Sequence, residues 1–167
     1  MSGVVLPSFS YSSTASNFGT QSFIDKKLIT VTFNGTLQIK DSEVSESTQV
    51  NGTLTVENSE LNALNVNGSI SLDESVIKGA VTVNGTLEAT KSRFQNTITA
   101  ITKRLCLSGS TAVDVLIKNS SDSEEIILSG GTKIAGSITF ESGKGKVIIK
   151  DSSEVTGEVR GGVVVRE

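Results

Sequence analysis

The stretch 81–90, VTVNGTLEAT, is the fourth copy of a pattern that also reads VTFNGTLQIK over 31–40, QVNGTLTVEN over 49–58 and NVNGSISLDE over 65–74. The Asn-Gly pairs begin at Asn34, Asn51, Asn67 and Asn84, at spacings of 17, 16 and 17 residues. Each pair is followed by Thr or Ser and then by an apolar residue: Leu37, Leu54, Ile70 and Leu87. A fixed period of this size marks a chain built by stacking one structural unit. Beyond residue 90 the Asn-Gly marker fades while the apolar skeleton continues as Leu105 with Leu107, Ile126 with Leu128 and Val147 with Ile149. Spacings there stretch to 18, 21 and 21, and the first apolar positions count seven turns.

Inside each repeat the hydrophobic period is two, as in Val81-Thr-Val83, Leu87-Glu-Ala89 and Ile98-Thr-Ala100, which reads as short half-buried strands. A further apolar residue follows in every turn, at Val44, Leu61, Ile77, Phe94, Ala112, Ile134 and Val155. Three apolar sides per turn describe a roughly triangular coil. A unit this short cannot bury its own apolar face, so it must lie on copies of itself. The sequence therefore predicts an all-β fold: a single-stranded, right-handed parallel β-helix of about seven short coils, about 34 Å long at one sheet spacing per coil. The right hand is expected because crossovers in parallel β structure favour it, and the uneven spacings break the strict hexapeptide period of the left-handed form.

The corner pairs Asn34-Gly35, Asn51-Gly52, Asn67-Gly68 and Asn84-Gly85 have two readings. Each sits in an Asn-Gly-Thr or Asn-Gly-Ser acceptor for N-glycosylation. The preferred reading is structural, because Asn and Gly both tolerate positive φ, and stacked Asn side chains can bond along a ladder.

Composition narrows the chemistry. The 167 residues contain 15 Lys plus Arg against 18 Asp plus Glu, one Cys and no His. A His-based triad, a His-ligated metal and a disulfide within the chain are thereby excluded. No apolar run reaches the roughly 18 residues of a membrane-spanning helix, and the mild acidity argues against a dedicated nucleic-acid binder. Asp41, Glu57 and Asp73 are expected on nearby corners where oxygen-rich edges bind Ca²⁺, but the Gly-Gly-x-Gly-x-Asp repeats of calcium-loaded β-rolls are missing. No metal or cofactor is expected. Cys106 lies between Leu105 and Leu107, where alternation turns it outward, and a lone thiol without His reads as a spectator.

The segments VNGTLTVENSEL, VNGSISLDESVI and VTVNGTLEATKSRF resemble the short coils of the bactofilins, the polymer-forming bacterial cytoskeletal proteins, over roughly residues 29 to 165. That resemblance implies a compact right-handed β-helix with short tails, polymerisation end to end without nucleotide, and filaments that associate with membranes and envelope machinery. The corners here use Asn-Gly where the family more often uses Glu-Gly or Asp-Gly, and loops near 118–125 and 141–146 are longer.

Residues 1–27 differ in composition from the rest and are expected to form a Ser/Thr-rich tail or cap, with the β-helix domain spanning 28–167. Phe18, Phe23 and Ile24 are candidates for a lid over the first coil, and Val4, Val5, Leu6 and Phe9 for a short membrane-touching or partner-binding segment. At the other end Val163, Val164 and Val165 form an apolar β-prone run, the favoured assembly surface. Residues 41–75 carry seven acids and no Lys or Arg, while 78–104 carry Lys78, Lys91, Arg93, Lys103 and Arg104 against Glu88 alone, two bands that could steer partners in a salt-dependent way.

The expected function is non-enzymatic: a rigid rod that self-associates into a bacterial cytoskeletal or envelope-associated scaffold, cytoplasmic or membrane-associated. The alternative is an exported binding module, adhesin-like or host-directed, which recognises a partner with its outward ladders. The register makes one direct prediction. Leu87→Asp places an unpaired charge in the middle ladder and is expected to abolish the folded state; loss of the far-UV β signal checks it, and a folded Leu87→Asp protein contradicts the register.

Overall fold

The computed structural model describes residues 10–120 and 123–167, with side chains from residue 19 onward. Every regular element among them is a strand, and all the strand pairs are parallel. Four near-complete coils come first: β1 (Ser10–Ile24), β2 (Lys27–Lys40), β3 (Glu43–Glu57) and β4 (Glu60–Asp73). The fifth holds β5 (Val76–Ile77) and β6 (Val81–Thr90), and the sixth β7 (Arg93–Phe94), β8 (Ile98–Ile101) and β9 (Arg104–Ser108). The seventh holds β10 (Thr111–Ala112), β11 (Val115–Ile117) and β12 (Glu125–Ser129), and the eighth β13 (Lys133–Ile134), β14 (Ile138–Phe140) and β15 (Gly145–Ile149). The ninth closes with β16 (Glu154–Val155), β17 (Val159–Arg160) and β18 (Gly162–Arg166). The molecule is a parallel β-solenoid of about nine turns, roughly 40 Å long at the spacing of paired strands.

Three apolar faces line its interior. Leu28, Val44, Leu61, Ile77, Phe94, Ala112, Ile134 and Val155 stack on the first. The second carries Val31, Leu64, Val81, Ile98, Val115 and Ile138. On the third, Leu37, Leu54, Ile70, Leu87, Leu105, Ile126, Val147 and Val164 form one column. All of these except Val155 and Val164 are buried. Leu87 is fully enclosed between Ile70 and Leu105, and burying a side chain of that size stabilises the fold by about 2 kcal/mol.

Nine coils replace the expected seven because the count from Leu37 to Val147 left out one coil at each end, and only the first of these lacks the apolar marker. Residues 10–24, expected to belong to a tail or cap, pair as β1 with β2, and the leading position of that coil is Gln21, opposite Leu37. The final coil places Val164 on Val147. Residues 1–9, with Val4, Val5, Leu6 and Phe9, lie outside the described residues.

The corners are of two chemical kinds. At the Asn-Gly corner the glycines Gly35, Gly52, Gly68 and Gly85 stack with φ between 125° and 143°. A Cβ on Gly52 would run into the carbonyl of Gly35, so both conformation and space demand glycine. The asparagines beside them do not adopt positive φ, contrary to expectation; their side chains are outward instead, and Asn51 Nδ2 donates to Asn34 Oδ1 at 2.9 Å. Left-handed backbone at non-glycine residues falls at another corner, on Asp25, Asp41, Asn58, Glu74, Lys91 and Asp151, with φ from 43° to 57°.

Behind that second corner runs a buried hydroxyl ladder. Ser42, Ser59, Ser75, Ser92, Ser110, Thr132 and Ser153 are each buried. The backbone N–H of each donates to the hydroxyl of the next, from Ser42 N on Ser59 Oγ to Thr132 N on Ser153 Oγ, at 3.0–3.2 Å. From Ser42 to Ser110 each hydroxyl donates to the carbonyl two residues back, at 2.7–3.0 Å. The sharp turn would otherwise strand buried N–H groups, and the hydroxyls satisfy them. It is the Asn-Gly corner that later coils close differently: there buried Glu124 accepts from the N–H of Ser120 at 2.8 Å and from the hydroxyl of Ser142.

These two environments predict opposite responses to loss of a hydroxyl. Ser75→Ala removes the acceptor of the Ser59 N–H and is expected to cost about 1–3 kcal/mol. Thr48 Oγ1 is buried in the second face with no partner, so Thr48→Val is expected to raise stability by about 1 kcal/mol. Urea unfolding midpoints of the two variants, moving in opposite directions, are the check.

Candidate functional site

Stacking decides which side chains can act together. Asp41, Glu57 and Asp73 do not converge, because Glu57 sits between Lys40 and Asp73 in one row while Asp41 belongs to the next row. There its carboxylate accepts from Asn58 Nδ2 at 2.7 Å. The acidic and basic bands are stitched to each other and to their flanks by ion pairs between coils. Lys40 meets Glu57 at 3.3 Å, Lys91 meets Glu74 at 3.4 Å and Arg104 meets Glu125 at 3.3 Å. Lys78 meets Glu60, whose hydrogen bond and charge hold the ammonium above the ordinary lysine value. An open groove of about 530 Å³ along this edge is lined by Asp25, Asp41, Glu43, Glu60 and Glu74 against Lys26 and Lys27, and Glu60 and Glu74 are paired with Lys78 and Lys91. Among the described residues no group of three or more His, Cys, Asp or Glu is placed to hold a metal ion.

The Asn-Gly edge presents a regular polar surface. Asn34, Asn51, Asn67 and Asn84 form one row that ends at Ile101, which is 41% exposed. Beside it Thr20, Thr36, Thr53, Ser69 and Thr86 stack in a second, solvent-exposed row.

At the N-terminal end the candidate lid is itself a coil. Phe23 stacks on Ile39 and packs against the core, while Ile24 stacks on Lys40 and faces solvent at 48% exposure. Strand alternation makes the two point oppositely, so Ile24 is no part of a lid. The backbone of Phe18 pairs with that of Asn34, and its side chain lies outside the described residues.

The C-terminal end is where the structure leaves core positions uncovered. Val164 continues the Leu37–Val147 column yet is 44% exposed, because no described coil lies beyond it. Val155 and Val159, on the other two faces, are only partly buried. Val163 points outward and is 62% exposed. Arg166 occupies the position held by Ile39, Val56, Leu72, Ala89, Leu107, Leu128 and Ile149 in preceding coils. Glu167 holds the end down through Lys150, 2.9 Å away; that hydrogen bond and charge lower the Glu167 carboxyl and raise the Lys150 ammonium from their ordinary values. The N–H of Glu167 bonds the carbonyl of Ile149. Alternation along a parallel ladder therefore turns the N–H and C=O groups of Gly162, Val164 and Arg166 away from the rod.

One apolar feature escaped the sequence reading. Cys106, Ile127, Ile148 and Val165 stack in an outward row on the third face, and Ile148 is only 7% exposed. The unbroken triplets Ile126-Ile127-Leu128 and Val147-Ile148-Ile149 carried the signal, because a strand with one wet face should alternate.

Comparison with known proteins finds no matching family model, no matching curated protein and no matching solved structure. The fold and the placement of these residues are the ground for a functional reading.

Cys106 yields a prediction of its own. It is half-buried beside Ile127, and burial pushes its thiol above the ordinary value, outweighing the nearby Arg104 cation. Less thiolate is present at a given pH. Iodoacetamide is expected to alkylate Cys106 more slowly in the folded protein than in urea at pH 8, with mass spectrometry as the readout.

Proposed function

We propose that this chain is a non-enzymatic structural protein, a rigid β-solenoid rod that self-associates into a scaffold. The observation that carries this reading is the uncovered ninth coil, where Val155, Val159 and Val164 hold core positions without a neighbour on their far side. Apolar groups and unpaired strand edges presented together are a template for another protein surface. Glu57, Glu60 and Glu74 are engaged in ion pairs from coil to coil, which fits a load-bearing surface. A bacterial cytoskeletal or envelope-associated setting, of the bactofilin kind, is the form of scaffold that the coil resemblance suggests.

The second reading, an exported module that binds a partner along its length, is favoured by the exposed hydroxyl and amide rows on the first five coils. Sedimentation velocity and negative-stain microscopy of the full chain, across concentration and salt, separate the two. Assemblies that grow with protein concentration are expected; a monomer at every concentration overturns the scaffold reading in favour of the binding module.

A further inference from the structure

We propose that the outer surface of the second face binds ice, with crystalline water as the ligand of its rows of uncharged side chains; this goes beyond the scaffold reading and is tested apart from it.

The charges of the rod are sorted by face. From the second coil to the sixth, the first face shows an outward charge in every coil, from Lys27 to Arg93, and so does the third, from Lys40 to Arg104. The second face shows none. Its outward positions in 30–34, 47–51, 63–67, 80–84 and 97–101, three to a coil, hold only Thr, Ser, Asn, Gln, Ala and one Ile. The middle row runs Thr32, Gln49, Asn65, Thr82, Thr99 and Leu116, and meets no charge before Arg160 in the ninth coil. Charge returns only at the margins of the field: Glu46 accepts from Thr30 Oγ1 at 3.3 Å on one side, and Asp114 and Lys118 close it in the seventh coil. In a chain that is 20% charged, a field free of charge across five coils needs a reason.

The composition of the field selects its ligand. A protein partner is usually anchored by aromatic and Arg side chains, a nucleic acid by cations and a lipid surface by large apolar groups. The field offers no aromatic and no cation, and Ile101 at its end is its single large apolar residue. A solid of water asks for the reverse. A charged group would have to give up its hydration shell to meet a lattice that has no place for an ion, so such a surface must be neutral. It must also be periodic. Coils repeat about every 4.8 Å along the rod, and outward residues of one strand about every 6.7 Å across it. Both distances lie close to the oxygen repeats of hexagonal ice, along its a and c axes. The array is held in place before any ligand arrives: Asn51 Nδ2 donates to Asn34 Oδ1 at 2.9 Å along one row, and the branched Cβ of Thr32, Thr82 and Thr99 restricts their rotamers. Hydroxyls, methyls and amides then fix the first layer of water at little further cost in side-chain entropy.

Thermal hysteresis, and partition of the full chain into a slowly growing shell of ice, test this. The wild-type protein is expected to facet ice crystals and to enter the ice. Thr82 is exposed in the middle row between Asn65 and Thr99, so Thr82→Lys sets an ammonium at the centre of the field and is expected to lose both properties. Asn65→Lys, exposed in the same row, is expected to behave alike, and Ser71→Lys, at an exposed position on the third face, to keep both. Circular dichroism melts that match the wild type assign the loss to the surface rather than to the fold. Round crystals and exclusion from ice with the wild-type protein overturn the proposal, as does activity kept in Thr82→Lys and Asn65→Lys or lost equally in Ser71→Lys. A dimer that Thr82→Lys dissociates, in a protein without hysteresis, also overturns it and gives the face to a second copy. None of these results touches the concentration-dependent assembly on which the scaffold reading depends.

Discussion

Apart from turn bonds such as Thr132 N–H to Ser129 C=O, backbone hydrogen bonds among the described residues run along the axis of the rod, from each coil to its neighbours. A coil of 16 or 17 residues has too little interior to bury its own Leu, Ile and Val. Its stability is borrowed from contact with neighbours in matching register. Register is therefore the controlling constraint. A slip of one residue would turn the Leu37–Val164 column outward and bring the polar rows in. The chain resists such slips by fixing each turn at two corners of unlike chemistry.

One corner works by subtraction and the other by addition. At Gly35, Gly52, Gly68 and Gly85 the backbones of successive coils approach so closely that no side chain fits, and only these in-register positions can meet. At Ser42 through Ser153 a hydroxyl fills the space inside the bend and receives an N–H from the preceding coil, so misalignment would leave a buried donor without an acceptor. The first corner excludes wrong stacking by collision and the second by an unsatisfied bond. Where the later loops lengthen, it is the glycine corner that changes, and Glu124 satisfies the bend there with a carboxylate that reaches Ser120 and Ser142.

Much of this was legible in the sequence, and the limits have physical causes. The columns can be read because inward positions repeat the same kind of residue, so Val44, Leu61, Ile77 and Phe94 declare a face by their pattern alone. The first coil was not legible, since Gln21 holds a position that Leu occupies elsewhere and its strand is rich in Ser. The hydroxyl ladder was hidden for the converse reason: serine is common on wet surfaces, and only the left-handed residue before it shows that Ser59 or Ser75 turns in. The end surface was half legible. Val163, Val164 and Val165 marked it as apolar, whereas the role of Arg166 depends on its falling in register with Ile149. Pattern gives the columns, and register decides what a lone residue at the end of a column does.

The axial direction of the hydrogen bonds also gives the rod an unequal mechanical response. A pull applied evenly to both ends of the solenoid loads all the bonds across one coil boundary at once, and the bonds must yield together. A pull on the C-terminus alone concentrates on the single bond nearest the grip, first the one between Glu167 and Ile149, and then passes to the next. The same set of bonds is thus a stiff strut under distributed tension and a zipper under a local tug. A protein-unwinding machine that seized this terminus would take the rod apart one rung at a time, feeling the resistance of one strand rather than that of nine coils.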